Sequence, residues 1–526
     1  MKSSVLCILA LVIVVGKSVE SANILVLMPL PFPSHTRTYM PLFKELALRG
    51  HNVTFYSAFP FKEDIPNLKT VMVDNFLEGF IHDIAKSNFA DFNGWRHVVF
   101  VWRMGLTCSE KLLQQPPIKQ LMQSKDTYDV ILLETFFAHE YLTAFGHKFQ
   151  APIINLHPFR AENWLNFNVG NPNPFSYVAD FRLEADGQMD YFQRISNLMI
   201  GLFTRVTGYY WYLPRQEATM RTYFDYAGVD TLPPLKDMLA ATTMSLVDGH
   251  HAISYVAPNL PNIVPVGGIH ISANSSLPED LKKWIEDSPH GIIYLSLGST
   301  LRSADLKREY VDIFVQVLGK LPQRILWKWE ADDIPGRPDN VKISKWFPQQ
   351  AILEHPKCKL FLTHGGFHGM FEAAYYGVPV VGTPVFADQK GNLHIAKRKG
   401  FGLMVKFEEL TAEKLSHALN TVLNTPSFKQ NAQKLSKIIK DEPSTPMERA
   451  VFWVEHVIRH KGADHLKSMR LSLTWYQYLL VDIIALFVAV ALVIFYVFKL
   501  LLGLLLSNSD KSSKNGQKET NKVKKN

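Results

Sequence analysis

Short apolar runs separated by amphipathic stretches recur along most of the chain, in two successive series. Asn23 to Leu30 (NILVLMPL) is apolar almost throughout, as expected of a strand buried on both faces. After a PFPSHTR turn, Thr38 to Arg49 sets Met40, Phe43, Leu46 and Ala47 on one face of a predicted helix that Gly50 ends. HNVTFYS predicts the next strand, and this βαβ order predicts a doubly wound parallel sheet. Phe76 to Gln123 reads as helical and aromatic, with Trp95, Phe100 and Trp102 placed to pack a core or line an apolar pocket. Tyr128 to Glu134 and Ala151 to Leu156 predict two more strands. Gly249 to Gly268 is rich in Pro and Gly and predicts a crossing to a second sheet, with the boundary set at 250/251. Gly291 to Leu297, Arg324 to Trp329, Leu360 to Thr363 and VPVVGTPVF supply strands of the second series.

The two ends break this pattern. Val5 to Val15 is an apolar run behind Met1-Lys2, followed by small residues up to Ala22, which predicts a signal peptide over 1–22. Ile483 to Phe498 is uncharged and the apolar stretch continues to Leu506, so a transmembrane helix is predicted within 476–506, bordered by Trp475, Tyr476 and Tyr478. The tail 507–526 carries six lysines against Asp510 and Glu519, a net of +4 out of the whole chain's +8. The basic excess therefore marks a cytoplasmic tail rather than a nucleic-acid surface, and no nucleic-acid partner is expected. Lys522 and Lys524 have the spacing of an endoplasmic-reticulum retrieval signal. Together these features predict a single-pass type I protein of the endoplasmic reticulum, held in a lipid bilayer, with its folded part lumenal. Asn52 and Asn274 are then glycosylation acceptors. At 526 residues with three cysteines, Cys7 in the leader and Cys108 and Cys358 far apart, the chain has room for two large domains and no disulfide framework.

The chemistry concentrates between Trp346 and Gln389. A buried strand (Leu360 to Thr363) runs into His364-Gly365-Gly366 and then a helix from Phe367 to Tyr376, closed by Gly377 and Pro379. A strand, glycine turn and helix leave free backbone N–H groups and a positive dipole end, which suit a phosphate. Glu372 lies two helical turns beyond His364 and faces the same crevice, and Asp388-Gln389 follows the next strand at the sheet end where ligands bind. An alternative is zinc on His364, His368 and Glu372, spaced i, i+4, i+8. Against it, His364 sits in the glycine turn, and the acid that follows the first His of a metalloprotease helix is missing. No metal is therefore expected. In the first half, His35 stands in the loop after the first strand and Glu134 ends the Tyr128 to Glu134 strand.

All 44 positions from Trp346 to Gln389 resemble the signature of the membrane-bound UDP-glycosyltransferases, with an invertebrate-like pattern. The resemblance implies an α/β protein with two facing Rossmann-like domains (the GT-B fold) plus a C-terminal transmembrane helix. Residues 23–250 would bind the acceptor and 251–440 the UDP-sugar, and closing helices over 441–470 would pack back on the first domain. It further implies that Trp346 stacks on uracil, with Gln349 beside it. His364, Gly366, Ser299 and the turn amides would hold the diphosphate. Glu372 would take the ribose hydroxyls, and Asp388 and Gln389 the sugar. His35 would be the catalytic base, oriented by Glu134 where the family usually has aspartate. His368 and Gly369 stand where asparagine and serine are frequent. The implied reaction is an inverting transfer of a hexose, with glucose favoured over glucuronate, to a hydroxyl of a small lipophilic acceptor, as in detoxification. UDP-sugar is a co-substrate, so no resident cofactor is implied, and a homo-oligomer is compatible with the reading. Two alternatives remain open at this point: a lumenal carrier of small lipophiles that has lost chemistry, and a transferase dedicated to one endogenous lipid or sterol.

Overall fold

The computed structural model describes residues 21–76, 94–136, 139–272, 275–299 and 301–523. The leader, apart from its last two residues, lies outside the described residues, as do Asn274 and Lys524. The chain divides into two units, Met1–Lys467 and Ser468–Asn526.

The first unit holds two parallel sheets. The seven strands of the first are β1 (Asn23–Met28), β2 (Asn52–Ser57), β3 (Leu68–Met72), β4 (Val130–Leu133), β5 (Ile153–His157), β6 (Met244–Val247) and β7 (Ile263–Pro265), ordered β3-β2-β1-β4-β5-β6-β7. The six strands of the second are β8 (Ile292–Ser296), β9 (Arg324–Lys328), β10 (Val341–Ser344), β11 (Cys358–Thr363), β12 (Val380–Gly382) and β13 (Gly402–Met404), ordered β10-β9-β8-β11-β12-β13. In both, the order reverses beside the strand that comes first in sequence. That reversal opens a crevice at the carboxyl ends of the strands. The central strands are wholly buried, which explains why they read as continuous apolar runs rather than as alternation.

Three expectations need correction. The first helix spans Pro33–Leu48, so it starts five residues before Thr38. Pro33 at its first position has a φ already suited to a helix and no N–H to lose there. His35 is consequently in the first helical turn and not in a loop. The first sheet also takes its last strand from Ile263–Pro265, so the crossing lies beyond Pro265 rather than at 250/251. Lastly, of the three aromatics expected to pack a core or line a pocket, Trp95 does neither and is exposed, whereas Trp102 stacks on Tyr212 in the core at 4.2 Å and Phe100 lines the cavity described below. Cys108 and Cys358 are both buried free thiols.

Helix Pro446–His460 ends the first unit. It opens with a capping box between Thr445 and Glu448. Its Ala450, Val451, Val454 and Val457 join Leu42, Phe43 and Leu46 of the first helix in one core cluster with β1 and β4. The chain thus returns to the first sheet after building the second. In the second unit, a helix runs over Val481–Val523, and its segment Val481–Leu506, with mean hydropathy 2.8, is long and apolar enough to cross a bilayer. It begins after Leu480, whose φ of 55° separates it from the short turn Trp475–Tyr478, so the span starts later than residue 476.

The two faces of Pro446–His460 yield a direct test. Val454→Glu strands a charge in the shared core and is expected to cost roughly 3–5 kcal/mol. Phe452→Glu, on the exposed face, is expected to stay within about 0.5 kcal/mol. Thermal unfolding of the two variants checks this.

Candidate active site

A cavity of about 550 Å³ lies between the carboxyl ends of the two sheets. Ser299, Trp346, Gln349, His364, Gly366, His368, Gly369, Glu372, Asp388 and Gln389 all line it from the second half. His35 lines it from the first half, and Glu134 stands behind His35.

His35 Nδ1 is 2.8 Å from Glu134 Oε1, with the two side chains 14% and 3% exposed. Glu134 follows β4 directly, and β4 is the neighbour of β1, whose following helix carries His35. Burial raises the Glu134 pKa, and the charge and hydrogen bond of His35 act against that rise. His139 and His157 nearby are driven down to about 3, first by burial and then by His35, so neither competes as a cation for Glu134. The wall around His35 is aromatic. Phe159 meets its ring edge-on at 5.5 Å, and Phe136 and Phe181 pack on Phe159. Such a wall suits an apolar molecule.

On the facing side, β11 ends at Thr363 and the chain turns through His364 and Gly365, at φ 87°, into helix Phe367–Tyr375, with Gly366 as its N-cap. The His364 ring sits in a slot walled by glycine. A Cβ on Gly298 would lie 2.7 Å from it, and one on Gly366 2.5 Å. Burial, then Lys328 and His368, lowers the His364 pKa to about 4. At neutral pH it is therefore a neutral imidazole with one N–H to donate, not a cation.

Glu372 receives Gln349 Nε2 at 2.5 Å on one oxygen and Gln350 Nε2 at 3.1 Å on the other, with His270 Nε2 at 3.5 Å. Burial alone would raise its pKa, but His270 and the two amides together hold it below the usual value. It stays an acceptor-only carboxylate, as vicinal hydroxyls require. Trp346 is 58% exposed, with the Arg37 guanidinium 5.0 Å and Lys328 Nζ 5.9 Å from its ring. Asp388 Oδ2 accepts from Asn392 at 2.6 Å, and its pKa is raised by burial. Gln389 is oriented by Val385 N and Phe386 N, which donate to its Oε1 at 2.7 and 3.1 Å.

Several residues here escape the sequence reading. Lys328 ends β9 with Nζ 3.0 Å from Gly298 O and 2.5 Å from Glu330, and brings a buried cation to the glycine slot. Its place at a strand's carboxyl end was a usable signal. Gln350, His270, Arg37 and Asp248 carry no local signature. The zinc reading finds no support in the geometry: Glu372 is taken up by amides and His270, while His368 faces Asp248 at 2.9 Å. Among the described residues, the one set that brings three candidate metal ligands together is His250, His251 and Glu442. There His250 Nδ1 accepts from Ala252 N, which puts the hydrogen on the Nε2 that faces Glu442, and Arg449 already pairs with that carboxylate. That arrangement opposes a cation.

The sequence profile of the family described as "UDP-glucoronosyl and UDP-glucosyl transferase" matches residues 47–515. The chain belongs to the UDP-glycosyltransferase family. It is 35% identical over 520 residues to UDP-glycosyltransferase UGT5 of Dactylopius coccus, covering 96% of this chain and 97% of that one. It is 30% identical over 491 residues to UDP-glucuronosyltransferase 2B33 of Macaca mulatta, covering 89% and 90%. Among solved structures, glycosyltransferase VinC in complex with DTDP superposes with a TM-score of 0.56 at 18% identity, over 83% of this chain and 100% of that one. The paired sheets are thus a GT-B fold, and the UDP-glycosyltransferase transfers sugar from a UDP-sugar to an acceptor. The profile match begins after the first helix turn, so the family assignment does not depend on His35.

Because glycine faces define the His364 slot, Gly366→Ala must displace the ring. It is expected to weaken UDP binding about tenfold, about 1.4 kcal/mol. Titration calorimetry with UDP checks this, with the unliganded melting midpoint as the control for folding.

Proposed function

We propose that this UDP-glycosyltransferase moves glucose to a hydroxyl of a small lipophilic acceptor in a single displacement that inverts the anomeric carbon. One observation carries the reading: His35, backed by Glu134, and the His364 turn with Glu372 on the helix that follows it open into the same cavity. His35 takes the acceptor proton as the new glycosidic bond forms. Glu134 holds the imidazole in place through Nδ1, leaving Nε2 to act as base, and steadies the imidazolium that results. The anomeric carbon–oxygen bond to the diphosphate breaks, and UDP departs with the electron pair. The departing charge meets the amides at Gly365-Gly366, the His364 N–H, Ser299 and the buried Lys328 ammonium. A diphosphate here favours protonation of His364, reversing the shift that burial imposes. Trp346 stacks on uracil beside Gln349, Glu372 accepts from the ribose hydroxyls, and Asp388 and Gln389 engage the sugar. His368 and Gly369 flank the diphosphate end, where the backbone cradle does not depend on their side chains. No step draws on a metal or a resident cofactor.

Glucose is favoured because the chain shares 32% identity over 491 residues with UDP-glucosyltransferase 2 of Dactylopius coccus, in line with the invertebrate-like pattern of the motif. The aromatic wall around His35 supports a lipophilic acceptor of the kind met in detoxification. The apolar leader, the apolar helix and the lysine tail support a type I protein in the endoplasmic-reticulum membrane with the catalytic unit lumenal. Asn52, exposed at the start of β2, is then open to glycosylation.

His35→Ala is expected to lower transfer roughly 10²- to 10⁴-fold while UDP still raises the melting midpoint, and Glu134→Gln is expected to fall between it and wild type. Turnover of His35→Ala close to wild type would remove His35 from the mechanism. In a panel of UDP-sugars with one simple phenol, UDP release is expected to be fastest from UDP-glucose. A faster rate with UDP-glucuronate would reverse the donor assignment.

A further inference from the structure

We propose that Asp248 and His368 form a positioning contact across the cleft, which fixes the donor-side helix against the turn that carries His35. The proposal rests on the transfer reaction above and assigns a residue, Asp248, that no motif indicates. His368 is the second residue of helix Phe367–Tyr375, and its Nε2 is hydrogen-bonded to Thr38 Oγ1 at 2.6 Å. The Thr38 hydroxyl spends its one proton on the Ser34 carbonyl at 2.7 Å, so toward His368 it accepts, and Nε2 carries the hydrogen. Asp248 Oδ2 lies 2.9 Å from the same nitrogen.

Asp248 directly follows β6 and is wholly buried. A carboxylate is costly to bury unless a cation or a donor meets it. Among the described residues, its one ion pair is with His368, which belongs to the other half of the cleft. Neither Asp248 oxygen has a hydrogen-bond partner among the described residues, so the approach of His368 Nε2 is the one ion pair the buried carboxylate has, and parting the two halves would remove it.

The helix geometry turns this into a statement about catalysis. Thr38 lies three residues beyond His35 on one helix. Glu372 lies four residues beyond His368 on the other and holds Gln349 and Gln350. One rigid turn of donor-side helix thus grips the base's own helix at His368 and the nucleoside-side amides at Glu372. The separation of His35 from the anomeric carbon is set through that turn. A misplacement of about 1 Å at a reacting centre costs on the order of a hundredfold in rate. An asparagine at 368, the residue common in the family signature, is shorter and would withdraw the ring nitrogen from both Thr38 and Asp248.

The test uses the full-length protein in detergent, with kcat, donor KM and the UDP-induced melting shift measured for wild type, His368→Asn, Asp248→Asn and the double variant. Each single variant is expected to lose kcat by about tenfold or more, with donor KM and the UDP shift within about twofold of wild type. The double variant is expected to recover part of the loss of His368→Asn, because no buried charge is left unpaired. If both single variants keep kcat within about twofold of wild type, the contact does not position the reaction. Losses that multiply in the double variant and follow the unliganded melting midpoint would also overturn it, since a merely structural contact behaves that way. A wild-type protein that releases UDP from no sugar donor would instead overturn the transfer reading, and this inference with it.

Discussion

The contact that the rest of the structure serves is the 2.8 Å approach of His35 Nδ1 to the buried Glu134 carboxylate. A carboxylate this far from water needs a partner, and an imidazole expected to gain a proton needs a neighbouring charge. Each supplies what the other lacks. The pairing is also topological. Residues 99 apart in sequence meet because β4 lies next to β1, so the end of β4 faces the helix that follows β1. The extra methylene of Glu134, relative to the aspartate usual in the family, does not break the contact.

The donor half repeats the principle. β8, β9 and β11 are neighbours in the second sheet, so their carboxyl ends bring Gly298, Lys328 and His364 together. This wall of the cavity is thus built from the ends of adjacent strands, with Glu372 added from the helix that follows β11. Glycosyltransferase VinC keeps the same architecture at 18% identity.

Much of this was legible in the sequence, for identifiable reasons. Wholly buried parallel strands leave long apolar runs, and a glycine turn between a buried strand and a helix leaves free backbone N–H groups at the sheet end where ligands bind. Hence the two-domain α/β fold, the apolar C-terminal span and the residues that line the cavity from the second sheet could be read directly. What escaped depends on contacts between distant segments. Nothing near Asp248 announces that it will face His368, and nothing near Arg37 shows that its guanidinium will lie over Trp346. The domain boundary was set too early because β7 is only three residues long and sits in a stretch rich in proline and glycine. The start of the first helix was missed because PFPS reads as a turn, whereas Pro33 is the helix's first residue.

The account makes the acceptor hydroxyl and the departing nucleotide occupy opposite sides of one sugar carbon, with His35 on the first and the Gly365-Gly366 turn on the second. The measurement that tests this most directly is the anomeric configuration of the product, read by proton NMR coupling at the sugar's first carbon. Starting from an α-linked UDP-sugar, the account predicts a β-glycoside. An α-glycoside would mean two displacements or a front-face attack, and would contradict it.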